Sequence, residues 1–236
     1  MGGEKTTPNP RATGRPSQGS GGAWYHPRVE ALLALLLAAQ APQAPPADTA
    51  AVTLAKSIEA RERGLQDLEA DFEQHYRSSA IGREIVEKGR VSLKPPGRML
   101  FEYATPEKKT FVSDGQTSYF YVPKDRQVVV QRLKGDKGLL AALLTGRENL
   151  LDRFTASLVP REGKGQSLRL ERRQKDPEVE EVLMDVDESL LIERLEIRDV
   201  QGNRTEFRFQ RMRPNTGLSD RLFHFEIPHG VEVVEG

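Results

Sequence analysis

The sequence has 236 residues, with 35 Lys and Arg against 35 Asp and Glu, and it contains no cysteine. The formal charge of zero gives the chain no overall field that would attract nucleic acid or an anionic membrane, so nucleic acid is not an expected partner. Without cysteine the chain cannot form disulfides, thiolate metal sites, a thiol nucleophile or a lipid-modified N-terminal cysteine.

The first part of the chain differs from the rest in composition. Residues 1–23 are rich in Gly, Ser, Thr and Pro and predict disorder. Residues 31–41 read ALLALLLAAQA, an uncharged run that ends in a small-x-small triplet, as the core and cleavage site of a signal peptide do. A membrane-spanning helix needs roughly 20 apolar residues, so a permanent anchor is the weaker alternative. We therefore predict a disordered leader and signal peptide over residues 1–41, followed by a Pro-rich linker over residues 42–50.

A helical pattern opens the predicted domain, which covers residues 51–236. Between residues 52 and 76 apolar side chains recur at spacings of three, four and seven, which predicts one amphipathic helix with a bend or break at Gly64. The apolar stripe of this helix consists of Leu54, Ile58, Leu65, Leu68 and Phe72. We expect the stripe to cover an apolar surface elsewhere in the fold.

Short strand patterns follow, separated by turn residues. The triplets Pro95-Pro96-Gly97 and Ser113-Asp114-Gly115 supply turn chemistry, because glycine at position 115 tolerates the positive φ of a tight hairpin. The runs between the turns are rich in Val, Phe, Tyr and Thr, and they predict antiparallel strands at residues 85–93, 98–103, 109–113, 118–122 and 127–133.

The second half adds two helical patterns and further strands. Residues 139–144 and 150–154 are predicted to be helical, with a break near Thr145-Gly146, and the first of them places Leu140, Leu143 and Leu144 on an apolar face. Strands are predicted at residues 154–160, 167–173, 180–186, 191–199, 204–211 and 222–227. The predicted fold is therefore mainly β, an α+β arrangement of about 10 to 11 strands with two or three helices.

No constellation of catalytic or metal-binding residues is recognisable. His75, His224 and His229 lack the spacing that places two ligands on one metal. Residues 163–167 lack the Lys-Ser/Thr ending of a phosphate-binding loop, and there is no Gly-x-Ser-x-Gly motif. Asp114 precedes a glycine between two strands, which is typical of a turn residue and not of a general base. We therefore predict no catalytic residue, no metal site and no cofactor, and the protein is not expected to be an enzyme.

The apolar faces of the predicted strands are the most informative feature. Val91 and Leu93 share one face of their strand, and Met99, Phe101 and Tyr103 share one face of the next. A curved sheet that presents such a face to amphipathic helices either closes into a dry core or leaves a cavity. Composition favours the dry core, and both arrangements stay open at this point.

The order of several motifs carries a family resemblance. The segments are LEADFEQ at residues 68–74, GRVSLKPPGRMLFEY at 89–103, VSDGQT at 112–117, YFYVP at 119–123 and FHFEIPHGVEV at 223–233. In order and spacing they resemble the LolA-type periplasmic carriers of outer-membrane lipoproteins, over roughly residues 54–234. The resemblance implies an unclosed antiparallel β-barrel, lidded by helices, around an apolar cavity that holds the acyl chains of lipoproteins.

The resemblance also implies partners and a location. A carrier of this family works in the periplasm, is loaded by an inner-membrane ABC transporter that releases lipoproteins, and delivers them to an outer-membrane acceptor or to the outer membrane directly. We expect a monomer, because the sheet edges must stay free for the transporter. The predicted lipid-binding lining consists of Leu54, Ile58, Leu65, Leu68, Phe72, Val91, Leu93, Met99, Phe101, Tyr103, Leu140, Leu143 and Leu144.

The sequence departs from the family pattern at one position. The family has an arginine directly before the proline that starts the strand of Met99, and that arginine is thought to tie the lid shut. This chain has Pro95 there, preceded by Lys94 and followed by Arg98. We predict that Lys94 or Arg98 takes the role in the lid or in transfer by reaching carbonyl groups of the lid. Lys lacks the planar, bidentate donor geometry of Arg, so the closed state is expected to differ.

Two alternatives use the same scaffold. The first is a carrier for another lipid or a glycolipid, which the same cavity would accommodate. The second is a regulatory binding module of the envelope-stress type, which usually carries a further C-terminal domain.

Overall fold

A computed structural model of the chain describes residues 48–133, 139–146, 149–174 and 179–236. The predicted leader and signal peptide, and all of the predicted linker before residue 48, lie outside the described residues. Within the described part of the chain, no helix has both the length and the apolar character needed to cross a membrane.

Helix α1 and strand β1 together replace the single helix predicted for residues 52–76. Helix α1 covers Thr49–Gly64, and the backbone turns extended at Leu65. Strand β1 follows over Leu68–Arg77 and pairs with a neighbour on each side. The predicted break at Gly64 is confirmed, but the helix beyond it is wrong. Leu68 and Phe72 are four residues apart, a spacing that fits the helical period of 3.6 and also the strand period of two.

The first half of the domain continues as an antiparallel meander. Its turns follow the predicted chemistry: Asp114 Oδ1 accepts hydrogen bonds from the amides of Gln116 and Thr117, each at 2.7 Å, and Gly115 has a φ of +96°. Asp114 is thus a turn residue, as predicted. The strands are β2 Glu84–Lys94, β3 Arg98–Thr105, β4 Lys109–Asp114, β5 Thr117–Val122 and β6 Gln127–Arg132.

The second half contains two short helices and the remaining strands. The helices are α2 Leu139–Thr145 and α3 Leu150–Arg153, close to the predicted ranges. The strands are β7 Phe154–Val159, β8 Gln166–Arg172, β9 Val179–Val186, β10 Ile192–Asp199, β11 Arg204–Pro214 and β12 Glu232–Glu235.

The predicted strand at residues 222–227 is wrong. A 3₁₀ helix over Asp220–Phe223 lies there, and the Ser219 side chain caps it by accepting a hydrogen bond from the amide of Arg221. The apolar side chain of Phe223 is buried because the 3₁₀ turn directs it against the sheet, not because the segment pairs as a strand. Strand β12, which pairs in parallel with β6, was not predicted.

The strands in the described residues form one 12-stranded sheet in the order β12-β6-β5-β4-β3-β2-β1-β11-β10-β9-β8-β7. Neighbours are antiparallel except for the β12 and β6 pair. The order ends at β12 and β7, so the described sheet is an unclosed barrel. The predicted fold class is confirmed. In the described residues, α1, α2 and the short helix α3 lie inside the curved sheet. The sheet has 12 strands there, more than the predicted 10 to 11.

Candidate functional site

The inner face of the sheet is apolar along most of its width. Alternation directs Leu68, Ala70 and Phe72 of β1 to this face, while the acidic residues between them point outward. The same alternation builds one continuous core from both halves of the sheet. Its other sheet residues include Val91, Leu93, Met99, Phe101, Leu168, Leu170, Val182, Met184, Leu195, Phe207 and Phe209.

Aromatic rings form the floor of this inner face. The ring of Phe72 lies 5.1 Å from Phe101 and 5.0 Å from Tyr103, both in edge-to-face geometry. Phe207 lies 5.8 Å from Phe101 and stacks on Phe209 at 6.2 Å. Each such pair contributes about 0.5–1.5 kcal/mol beyond the burial of its area. The floor is therefore a cohesive apolar surface that reaches across β11, β1, β2 and β3.

The helices add their own apolar stripes to this core. Leu54 and Ile58 of α1 are buried where α1 packs against β7 and β8, and Leu143 and Leu144 are buried where α2 packs against β2 and β3. Every predicted lining residue belongs to this one core, with Tyr103 and Leu140 partly buried at its margin. Leu68 and Phe72 differ from the prediction in one respect, because they belong to the sheet and not to the lid.

A small cavity of about 10 Å³ lies between the helices and the sheet, which is enough for about one water molecule. Its lining consists of Glu62, Leu68, Val91, Leu93, Leu144, Ile192 and Phe209. In this closed arrangement the apolar residues of the helices and of the sheet form one buried core. An acyl chain enters this space only if the helices move away from the sheet.

A polar rim borders the aromatic floor. The hydroxyl of Tyr103 donates a hydrogen bond to Gln74 Oε1 at 2.6 Å, and burial and the nearby Glu87 raise the pKa of Tyr103 above its ordinary value. Lys109 Nζ lies 2.6 Å from Glu87 Oε1 and 4.6 Å from the centre of the Tyr103 ring. The apolar surface of the inner face therefore ends at Gln74, Glu87, Tyr103 and Lys109.

A hydrogen-bonded chain ties helix α2 to the β2–β3 turn. The backbone amide of Gly97 donates to Thr145 Oγ1 at 2.9 Å, and the Thr145 hydroxyl donates to the carbonyl of Ala141 at 2.6 Å. Ser113 Oγ donates to the carbonyl of Gly97 at 2.9 Å. Sequence reasoning placed Gly97 in a turn and Thr145 at a helix end, but their contact depends on packing between distant segments.

Lys94 and Arg98 contact a different part of the chain from the one predicted. Lys94 Nζ donates to the carbonyl of Leu218 at 2.6 Å and lies 2.6 Å from Asp220 Oδ1. Arg98 Nη1 lies 3.0 Å from the same carboxylate, and the hydrogen bond from Lys94 lowers the pKa of Asp220. The expected contact with carbonyls of the lid helices is therefore wrong, because alternation along β2 and β3 turns both cations to the outer face.

The outer face holds the segment that follows β11. Phe223 packs there with Leu100 and Val112 in a second, smaller core. Asp67 fixes the start of the segment, since its carboxylate accepts hydrogen bonds from the amides of Thr216 at 2.6 Å, Gly217 at 3.0 Å and Leu218 at 2.8 Å. Burial alone would raise the pKa of Asp67, but these hydrogen bonds outweigh it and hold the pKa below its ordinary value.

The outer face also carries a charged groove of about 830 Å³. Some of its charges are paired across strands, as in the ion pairs Lys88 with Glu73, at 2.7 Å, and Arg211 with Asp71. Within the described part of the chain no group of three or more His, Asp or Glu side chains is arranged to hold a metal ion. Phe72 and Tyr103 also line this groove, so it borders the aromatic floor. The continuous apolar inner face is the candidate site.

Comparisons with known proteins show which family this chain resembles. A family model described as outer membrane lipoprotein carrier protein LolA matches residues 63–226. The outer-membrane lipoprotein carrier protein of Chromobacterium violaceum is 28% identical over 195 residues, covering 82% of this chain and 91% of that protein. Its counterpart in Cupriavidus pinatubonensis is 32% identical over 148 residues, covering 62% of this chain and 69% of that protein. A crystal structure of a LolA superfamily protein from Nitrosomonas europaea aligns with a TM-score of 0.42 at 13% identity, covering 74% of this chain and 97% of that chain.

Proposed function

The chain belongs to the LolA family of outer membrane lipoprotein carrier proteins, and from this premise we propose that it shields the acyl chains of lipoproteins and carries them through the periplasm to the outer membrane. The observation that carries the proposal is the continuous apolar inner face, covered by helices that are separate from the sheet. Acyl chains bound to this face would make the apolar contacts that the helices make with it in the closed structure.

The physical need for a carrier follows from the cost of hydration. Exposing an acyl chain to water costs about 0.8 kcal/mol per methylene, so a chain of about 15 methylenes costs on the order of 12 kcal/mol. A lipoprotein with its chains exposed would therefore be present in the aqueous phase at negligible concentration. A protein that replaces this hydration with apolar contacts removes most of that barrier.

The adaptable side chains of the inner face suit a ligand of variable shape. Met99 has a flexible thioether, and the rings of Phe101 and Tyr103 keep large apolar faces available when the helices move. The thirteen lining residues predicted from the sequence are proposed as contacts for the acyl chains, with Leu140 at the margin where entry would begin.

Export and partners form part of the same proposal. We place the protein in the periplasm, delivered by the signal peptide predicted at residues 31–41, which lies outside the described residues. Loading would come from an inner-membrane ABC transporter, and delivery would go to an outer-membrane acceptor or directly to the membrane. The relatives that match the chain bear the name outer-membrane lipoprotein carrier protein, which supports lipoproteins as the cargo and the outer membrane as the destination.

Native mass spectrometry tests the proposal directly. The full chain is expressed with its leader in a Gram-negative host, purified from the periplasm without detergent and analysed for bound molecules. We expect one triacylated lipoprotein or lipopeptide per chain. A diacyl lipid or glycolipid in its place would favour the alternative carrier. An empty protein that also refuses lipoprotein from transporter-bearing inner membranes would contradict the proposal.

A pair of leucine variants locates the binding surface. Leu140 packs at the margin of the inner core, whereas Leu158 of β7 is 39% exposed. Leu140→Gln is expected to weaken binding of a fluorescent acyl probe several-fold, because it places an amide where the chain would enter. Leu158→Gln is the matched control and is expected to bind the probe as the parent does. Equal binding by both variants would place the acyl site elsewhere.

A further inference from the structure

One residue of the α1 stripe does not match its surroundings. The stripe continues from Leu54 and Ile58 at a spacing of four to Glu62, which is buried with 2% of its surface exposed. Glu62 lines the small cavity between the helices and the sheet, and all the other lining residues are apolar. A leucine at this position would fill the cavity in the manner of its neighbours.

The carboxyl group of Glu62 has no hydrogen-bond partner among the described residues. Glu59, one turn earlier on the same helix and also buried, is different. Its Oε1 accepts a hydrogen bond from the amide of Leu150 at 2.6 Å, and its Oε2 lies 3.4 Å from Arg63. Glu59 therefore stabilises the start of α3. The side chain of Glu62 makes no such contact in the closed structure. Burying a polar group without a partner is costly, so its position calls for a different explanation.

The protonation state of Glu62 defines what it can bind. Burial raises its pKa from 4.5 to about 8, and the attraction of Arg61 opposes this only in part. The group is thus mostly protonated near neutral pH and offers one O–H donor inside an apolar space. The matching ligand group is a hydrogen-bond acceptor without a charge.

Acyl chains of a lipoprotein carry such an acceptor at one end. Each chain is joined to its headgroup through an ester or an amide, whose carbonyl oxygen accepts hydrogen bonds. When the chain leaves water for an apolar cavity, this carbonyl loses its hydration and gains nothing from apolar neighbours. A donor at the cavity wall restores the lost hydrogen bond.

We propose that Glu62 is a hydrogen-bonding subsite of the acyl cavity that receives the ester or amide carbonyl of a bound acyl chain. This inference rests on the proposed carrier function, since it requires the helices to open and the chain to enter beside α1. The subsite sets the depth to which a chain is inserted, because the carbonyl stops at the donor while the methylenes continue across the aromatic floor.

Two ligands that differ only at the carbonyl test the subsite. Methyl laurate carries the ester carbonyl, and lauryl methyl ether lacks it. Each competes with a fluorescent acyl probe for the periplasmic protein at about pH 6, below the raised pKa of Glu62. The parent protein is expected to bind the ester about 3- to 10-fold more tightly than the ether. Glu62→Leu is expected to bind both ligands equally, and Glu62→Gln, which keeps a donor, to retain the preference.

The outcomes separate this inference from the proposed function. Glu59→Gln is the matched control on the same helix and is expected to keep the ester preference. If the parent and Glu62→Leu bind both ligands without preference, or if Glu62→Leu keeps the preference of the parent, the subsite is refuted while the carrier function stands. If neither ligand displaces the probe or binds the parent at all, the carrier function and the subsite both fall.

Discussion

At the residue scale, three buried acidic groups differ in whether a hydrogen-bond donor reaches them. Glu59 and Asp67 are buried with hydrogen-bond donors, the amide of Leu150 for the first and a row of amides in residues 216–218 for the second. Glu62 is buried without a donor, which raises its pKa. The sequence displays a carboxylic acid in each case, and only the donors that folding supplies distinguish Glu59 and Asp67 from Glu62.

The pKa of Glu62 predicts a pH-dependent stability. Below about pH 4.5 the carboxyl is protonated in the folded and the unfolded chain, so its contribution to stability is fully present. As the pH rises toward 8, the unfolded chain releases this proton and the folded chain retains it. The free energy of unfolding should therefore fall by at most about 1.4 kcal/mol per pH unit across this range.

Urea unfolding at a series of pH values measures this slope. Arg61 is the charged group that acts on Glu62, and the cavity residues that face it from α2, β1, β2, β10 and β11 are apolar. Glu62→Gln, which does not titrate, is expected to flatten the slope relative to the parent. The same slope in parent and variant would show that another group titrates.

Asp67 predicts a local effect on the outer face. Asp67→Ala leaves the amides of Thr216, Gly217 and Leu218 without their acceptor, and we expect a loss of about 1–3 kcal/mol in the free energy of unfolding. Hydrogen exchange of these amides should accelerate as well. Asp71→Ala removes a solvent-exposed ion pair with Arg211 and is expected to cost less than about 1 kcal/mol. Equal losses for the two variants would contradict the anchoring role.

At the element scale, the helices and the sheet are separable layers joined by a few polar contacts. Helices α1 and α2 lie on the inner face through apolar side chains, which move past each other without breaking directional bonds. The Gly97–Thr145 hydrogen bond is directional and buried, and it connects α2 to the β2–β3 turn. Lys94 and Arg98, on the same hairpin, pair with Asp220 in the segment that follows β11 and do not connect the hairpin to the helices.

The Thr145 contact predicts the ease of lid opening. Thr145→Val keeps the shape of the side chain but leaves the buried amide of Gly97 without an acceptor, at a cost of about 1–3 kcal/mol to the closed state. Amides of α2 should then exchange faster, and a fluorescent acyl probe should be taken up more quickly. Thr145→Ser, which retains the hydroxyl, is the control. If valine and serine variants exchange and bind alike, the contact does not hold the lid.

At the scale of the whole molecule, the unclosed sheet allows one apolar face to serve two states. Strands β12 and β7 end the sheet order, so the barrel wall is not a closed ring in the described chain. In the state observed, the helices pack inside the sheet, and a cavity of about 10 Å³ lies between them and the sheet. In the loaded state that the proposed function requires, acyl chains would take the place of helix contacts on the same residues. Under that proposal, the folded core and the binding surface would be one set of side chains.

Export predicts the N-terminus of the protein in the periplasm. If residues 31–41 are the core and cleavage site of a signal peptide, the periplasmic protein should begin at Pro42. Mass spectrometry of the intact protein and N-terminal sequencing measure this. A periplasmic protein that retains residues before Ala31 in quantity would contradict the predicted processing.

The sequence by itself determined most of the local elements and which apolar residues share a face. Alternation along β2 and β3 placed Val91, Leu93, Met99 and Phe101 on one face, because strand geometry turns successive side chains to opposite sides wherever the strand lies. Residues such as Phe207 and Phe209 of β11 were identifiable by the same alternation, but the sequence does not say that β11 pairs with β1. The spacing of four from Ile58 likewise marks Glu62 as a member of the buried stripe.

The tertiary structure decided every feature that depends on pairing between distant segments. It made the segment after Gly64 a strand and placed Leu68 and Phe72 in the sheet, because β2 and β11 supply strand partners on both sides. It also paired β12 with β6. It brought Lys94 and Arg98 against the segment that follows β11, and it packed apolar residues of five elements around Glu62. Periodicity reports only which side chains share a face, whereas packing between elements decides what that face meets.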